Sequence, residues 1–391
     1  MATRSYDIVV FGATGFTGQL TAEYLARSAP PATRWALAGR NTAKLESVRK
    51  ALAAINPACA RLDLLTVDAS DTAALKRVAE SARVIITTVG PYILYGEPLV
   101  AACAAAGTDY VDLTGEPEFV DLMWLRYHEQ ALQSGARIVH CCGFDSIPHD
   151  LGTYFTVQQL PENTPLTVKG YVRAGGTFSA GTYHSAINAF GRARLYAKTR
   201  KERHAREQRP SGRRIGSAKG GIRFEKTLGN WAVPFPTIDP QVVLRSAAAL
   251  DRYGPDFRYG HYLLLKSFGQ VAGLLGGVSA LFTLAQVKFT RDWLLSKKKS
   301  GEGPSLEQRK KGWFRVRFQG EGGGKQVTTE VTGGDPGYGE TSKMLAESAL
   351  CLAFDDLPKR GGQLTPAAAM GNTLIERLQK SGIKFSVVKP A

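Results

Sequence analysis

The sequence predicts an α/β protein that opens with a doubly wound parallel sheet, and three observations carry the prediction. Short apolar runs alternate with amphipathic stretches of three-to-four spacing through the first 140 residues. The links between them are short, as crossovers in a parallel sheet require. A turn of regularly spaced glycines follows the first apolar run. The 391 residues, 43% hydrophobic and 21% charged, suffice for two or three domains with sizeable cores and exclude a disordered or collagen-like chain.

In chain order, strands are predicted at 6–11, 34–38, 62–67, 83–88, 109–112 and 137–141. Helices are predicted near 16–28, 41–54, 70–80, 95–107 and 118–134, each with an apolar stripe able to cover one face of the sheet.

The first strand runs into Gly12-Ala-Thr14-Gly15-Phe16-Thr17-Gly18. This G-x-x-G-x-x-G spacing is a variant of the Rossmann turn, in which glycines let backbone N–H groups approach a pyrophosphate at a helix N-terminus. A plain tight turn is the alternative, and the position between strand and amphipathic helix favours the dinucleotide. The second strand ends Ala38-Gly39-Arg40, where an NAD site would carry a ribose-binding carboxylate. Arg40 offers a planar fork for a 2′-phosphate, so NADP(H) is expected ahead of NAD, unless Arg40 is only a surface residue. Asp68, after the third strand, is placed either to reach the adenine edge or to cap the next helix. Gly90 and Pro91, after the fourth strand, suit close passage of the ribose and nicotinamide or form a simple loop.

The net charge of +16 is local: residues 191–226 hold 13 Lys/Arg and 3 Glu, and 288–315 hold 9 Lys/Arg and 3 Asp/Glu, accounting for the whole excess. No zinc finger, RNP-type strand or helix-turn-helix spacing accompanies these runs, so nucleic acid is not an expected partner. Cys59, Cys103, Cys141, Cys142 and Cys351 are odd in number and lack C-x-x-C spacing, so neither a disulfide framework nor a zinc module is expected. His140-Cys141-Cys142 places adjacent side chains on opposite faces of a strand end, and no metal site is expected there. Without a signal-peptide pattern the expected compartment is the cytoplasm.

Ser267–Gln286 runs twenty residues without a charge, and Gly269, Gly273 and Gly277 recur every fourth position. Lys288, Arg291 and Lys297–Lys299 follow it. An apolar helix beside a basic cluster suggests peripheral contact with an anionic membrane on its inner face. The alternative is a helix buried in the core or in a homodimer, with the glycines forming a smooth packing face.

Gly12–Gly18, Ala38-Gly-Arg40, Thr88-Val-Gly-Pro-Tyr92, Tyr110-Val-Asp-Leu-Thr-Gly-Glu116, Gly143-Phe-Asp-Ser-Ile-Pro-His-Asp150 and Gly361-Gly-Gln-Leu-Thr-Pro-Ala-Ala-Ala-Met-Gly371 together resemble the saccharopine dehydrogenase-like oxidoreductases. The nearer resemblance is to the branch that holds the trans-acting enoyl reductases. It implies an N-terminal Rossmann domain, a second α/β substrate domain and a C-terminal segment returning to the first. The domains are expected at 1–147 plus 355–391 and at 148–354. Strands at 165–173, 313–320 and 325–332, and helices at 339–354 and 364–380, agree with this plan.

The resemblance further implies reduction of a polarised double bond in a lipid-like or polyketide-like acyl substrate, free or carrier-bound. Such a reaction needs a proton donor opposite the hydride, and Tyr92, Asp145 and His149 lie just beyond the relevant strand ends. Asp145 could instead cap a helix, and His149 could pack in the core. Saccharopine reductases carry a Gly-Leu-Asp-Pro-Gly-Ile-Asp-His type segment here; Gly143 and Asp145 match it, whereas Ser146-Ile147-Pro148-His149 departs from it. That departure weighs against the alternative of a saccharopine-type amino-acid or imine dehydrogenase. A non-catalytic lipid-surface scaffold is a third reading, disfavoured by the intact glycine turn and Arg40.

Overall fold

The structure is a computed structural model and describes residues 4–176, 180–208, 210–297 and 303–388. Five strands and their helices follow the predicted order: β1 (Tyr6–Phe11), α1 (Phe16–Ser28), β2 (Trp35–Gly39), α2 (Thr42–Ile55), β3 (Asp63–Thr66), α3 (Thr72–Ser81), β4 (Ala82–Thr87), α4 (Tyr92–Tyr95), α5 (Glu97–Ala106), β5 (Asp109–Asp112) and α6 (Pro117–Ser134). Strand β6 (Arg137–Val139) stops two residues earlier than predicted, because the chain turns out of line where Cys141 takes φ 65°. The continuous apolar faces of β1, β2 and β4 are buried on both sides, as central parallel strands are.

Helix α7 (Ile147–Val157) leads into the second sheet, formed by β7 (Leu166–Gly175), β8 (Arg214–Ser217), β9 (Arg223–Glu225), β10 (Asn230–Pro234), β11 (Asp256–Leu265), β12 (Trp313–Gly322) and β13 (Lys325–Gly333). Between these strands lie α8 (Ala180–Gly191), α9 (Ala193–Arg206), α10 (Asp239–Ala249), α11 (Phe268–Gln286), α12 (Lys288–Ser296) and α13 (Leu306–Lys310). The chain closes with α14 (Gly339–Phe354), β14 (Gly362–Leu364), α15 (Pro366–Lys380) and β15 (Lys384–Val388).

The first sheet is wholly parallel, in the order β14-β6-β5-β4-β1-β2-β3. The second is mixed, in the order β15-β13-β12-β7-β11-β10-β9, with β8 pairing β11. Two expected boundaries are corrected here. Helix α14, expected in the second domain, packs on α1, β1, β4 and β5 of the first, since small and apolar residues on all its faces allow nearly complete burial. The C-terminal segment pairs with the first sheet through β14, whereas β15 pairs antiparallel with β13 of the second, turning Phe385 into the core and Lys384 outward.

Helix α11 covers the predicted apolar stretch, yet only Val271 and Ala285 of its 19 residues are buried. The alternative of a helix hidden in the core of this chain is therefore overturned. Space is open beside Gly273 and Gly277, so the glycine stripe contacts no neighbouring helix among the described residues. Instead α11 leans on α8 and α12 through a small cluster of Ile187, Ala285 and Leu294, and leaves Leu275, Val278 and Phe282 exposed. Phe289 and Trp293 on α12, 82% and 50% exposed, extend that apolar surface.

Candidate active site

The glycine turn is built by close backbone contact. Gly12 takes φ 87°, and a β-carbon there would stand 2.7 Å from the Val89 side chain. At Gly18 it would lie 2.1 Å from the Gly12 carbonyl, so only glycine lets α1 seat against the turn. Gly15 differs: beyond its chain neighbours, a β-carbon would meet only the Gly12 oxygen, at 3.4 Å. Protein atoms thus leave open the place where the turn and the first amides of α1 converge, a cradle that fits a pyrophosphate. Thr14 and Thr17 are half-buried beside it, and the Thr14 carbonyl accepts a 3.1 Å bond from the Gln19 amide. The Phe16 ring packs edge-on to Tyr338, which precedes α14, at 4.8 Å, with the Arg309 guanidinium of α13 5.8 Å from its centre.

Arg40 is exposed past the end of β2, where a 2′-phosphate would be read. The Asp68 carboxylate accepts bonds from the Ser70 hydroxyl and amide at 2.6 and 2.9 Å; these, with Arg40 nearby, hold it below the usual carboxylate range. It shapes the turn, while Asp71 caps α3.

After β4, Gly90 is exposed and Pro91 half-buried at the carboxyl edge of the sheet. Glu116, which sequence reading placed in a motif without giving it a role, anchors this loop: its carboxylate accepts from the Tyr92 and Ile93 amides at 3.0 and 2.8 Å and from the Ser185 hydroxyl of α8 at 2.8 Å. Tyr92 does not reach the cleft. It is buried, and its hydroxyl donates 3.1 Å back to the Thr87 carbonyl, so the expectation of a catalytic tyrosine is corrected to a structural one. Packing of its ring against Phe119 turns the side chain inward.

Asp145 and His149 belong to a buried charged cluster. Asp145 is half-buried beside Gly115, at the carboxyl edge of β5. His149 is 1% exposed, with its Nδ1 3.1 Å from an Asp239 oxygen and 3.1 Å from the Phe144 carbonyl. The other Asp239 oxygen lies 3.5 Å from His261 Nε2 and accepts a bond from the Thr237 hydroxyl. Tyr259 and His261 Nδ1 are 3.1 Å apart. Burial and the Asp239 charge push the Asp145 carboxyl up to about 7. Burial opposes charge on His149, but Asp239, Asp145 and the Phe144 carbonyl outweigh it and raise the imidazole. Burial also opposes charge on Asp239, which the two imidazoles nevertheless hold well below the carboxylate range. His261 falls to about 3 through burial, despite Asp239. Asp239 and His261 escaped sequence reading; the only local signal was the Thr237-Ile-Asp239-Pro helix start. Their donor atoms and that of His149, within 4.8 Å of one another, are also of metal-ligating type.

A parallel sheet with this glycine turn, an exposed arginine past its second strand and a match to an NADP-binding domain define an NADP-dependent oxidoreductase. The chain belongs to the saccharopine dehydrogenase-like oxidoreductase family. Residues 8–139 match the model of the saccharopine dehydrogenase NADP binding domain. A Mycobacterium tuberculosis relative, provisionally named a trans-acting enoyl reductase, is 39% identical over 99% of both chains. The trans-acting enoyl reductase of Mycobacterium bovis is 37% identical, and the saccharopine dehydrogenase-like oxidoreductase of Rattus norvegicus 34%, each over 99% of both chains. Among solved structures, apo saccharopine dehydrogenase (L-Glu forming) from Saccharomyces cerevisiae has the same fold, with TM-score 0.53 over 98% of this chain and 100% of that one, at 12% identity.

Proposed function

We propose that the protein is an NADPH-dependent reductase of a polarised carbon–carbon double bond in an enoyl-type acyl substrate, lipid-like or polyketide-like, taken from or beside an anionic membrane surface. The observation that carries this reading is Asp145, a half-buried carboxyl at the sheet's carboxyl edge whose proton affinity burial raises to about 7. NADPH supplies the hydride when bound at the glycine cradle and Arg40. Asp145 then gives a proton to the carbon beside the acyl carbonyl, where charge develops. Glu116 fixes the Gly90–Ile93 loop, and Asp112, bonded to Tyr110, His140 and the Thr114 and Cys141 amides, fixes the two strand ends from which Gly115 and Asp145 project. The enoyl reaction is supported by the names of relatives aligned along nearly the whole chain. The membrane side is supported by the exposed apolar surface of α11 and α12 beside Lys288, Arg291 and Lys297. Lys298 and Lys299 lie outside the described residues.

The test is NADPH oxidation by the purified protein with trans-2-enoyl thioesters of increasing chain length, and with saccharopine-type imines in parallel. Turnover of enoyl thioesters, lost by about 10²-fold or more in Asp145→Asn, is the expected result. Turnover of the imines alone overturns the reading.

A further inference from the structure

The chain that enters α13 lies against the first residue of α1. A β-carbon on Gly303 would overlap the Phe16 ring, so the backbone there passes flush over it. Two residues on, Ser305 and Gln308 close a capping box that starts α13. Just past the helix, Gly312 abuts the next loop, where its β-carbon would stand 2.8 Å from the Asp335 Cα. Arg309 is thus held on a segment fixed at both ends, with its guanidinium 5.8 Å from the centre of the Phe16 ring. Phe16 also supplies the first amide of α1, so this cation stands within a side chain's reach of the glycine cradle.

Arg309 has no counter-ion. Among the described residues no carboxylate lies within ion-pair distance of it, and its Nε is buried without a hydrogen-bond partner. The acidic groups of the adjoining loop are taken: Asp335 accepts from the Gly337 and Gly339 amides at 3.2 and 3.0 Å, and Glu340 pairs with Lys343 at 2.8 Å. A buried donor left unmatched is costly unless a ligand completes it.

We propose that Arg309 is a cofactor-binding residue, whose guanidinium reaches from α13 past the Phe16 ring to the pyrophosphate of NADP(H) at the glycine cradle. The inference rests on the reading of that cradle as the pyrophosphate site. The pyrophosphate carries two negative charges, while Gly12–Gly18 offers only amide and hydroxyl donors and no cation. A guanidinium supplies the missing charge and a planar fork matched to phosphate oxygens. The Phe16 ring, wedged between Gly303 and Tyr338, keeps the approach from α13 to the turn in place. Since NADPH and NADH share the pyrophosphate, Arg309 strengthens both, whereas Arg40 tells them apart.

The test is fluorescence titration of the full chain with NADPH and with NADH at several salt concentrations, alongside thermal melts of each apo protein. Arg309→Met keeps an unbranched stem and removes the charge; Arg309→Gln gives the same reading should the first variant not fold. Either should weaken both cofactors by about tenfold to hundredfold, leave the apo melting temperature unchanged, and make binding less sensitive to salt. Wild-type affinity in the folded variants overturns the proposal. So does a loss confined to NADPH, which would put the guanidinium on the 2′-phosphate, or a loss that comes with a lower apo melting temperature and unaltered salt dependence. Gly15→Val separates the two assignments: retained binding there refutes the cradle, whereas its loss beside wild-type binding in Arg309→Met refutes Arg309 alone. No acyl substrate enters these titrations, so the enoyl reading stands or falls separately.

Discussion

The carbonyl oxygen of Gly12 lies 2.1 Å from the point where a β-carbon on Gly18 would stand, so turn and helix meet backbone to backbone. At Gly15, between them, a β-carbon would come no closer than 3.4 Å to the same oxygen. The two glycines should therefore fail differently. Gly15→Val should keep the fold and lose NADPH binding, while Gly18→Ala should lower the melting temperature by displacing α1. Circular dichroism melts and nicotinamide fluorescence titrations separate the two; retained NADPH affinity in folded Gly15→Val would contradict the cradle.

Arg40 is exposed just past β2, and the proposed reading assigns it charge-assisted bonds to a 2′-phosphate. Arg40→Ala should weaken NADPH binding by roughly 1.5–3 kcal/mol and leave NADH almost unchanged. Equal losses for both cofactors would show that Arg40 does not read the phosphate.

Asp150 is fully buried, and burial raises its carboxyl to about 7, although it accepts a 2.8 Å bond from the Ala367 amide. Between its unfolded value near 4 and about 7, the folded protein holds a proton that the unfolded chain has released, so this group makes stability fall as pH rises through that window. Asp150→Asn keeps an acceptor for Ala367 and removes the titration. Denaturant melts should show the variant matching wild type near pH 4 and gaining on it by up to about 4 kcal/mol at pH 8. A constant difference across that range would exclude the linkage.

The surface of α11 and α12 should bind vesicles containing anionic lipid. Salt should release part of the protein, because surface charges are screened over about 8–10 Å at physiological ionic strength. Changing Lys288, Arg291 and Lys297 to Gln should reduce only the salt-sensitive part, on the order of 1 kcal/mol each. Phe289→Ser with Trp293→Ser should reduce the salt-resistant remainder. Sedimentation of wild-type protein solely in the supernatant at low salt would rule out the membrane contact.

What the sequence made legible was local. Strands β1 to β5 and helix α14 end within about two residues of prediction, because apolar periodicity and glycine or proline punctuation are written into consecutive residues. Side-chain direction and partnership are not. Tyr92 sits at the anticipated strand end, but the ring of Phe119, 27 positions later, decides that its hydroxyl points inward. Asp239 and His261 reach His149 from α10 and β11, roughly 90 and 110 residues downstream, so no spacing pattern could announce them. Exposure of α11 was equally hidden, since an apolar helix reads the same whether protein or something else covers it.

The last described stretch of chain stitches both sheets. Strand β14 adds an edge to the first and β15 an edge to the second, with only α15 between them, and α15 itself packs on α7 and α14. Parting the two sheets widely would have to break the backbone ladder of one of those border strands or the packing of α15 between them, so the tail acts as a tether across the fold.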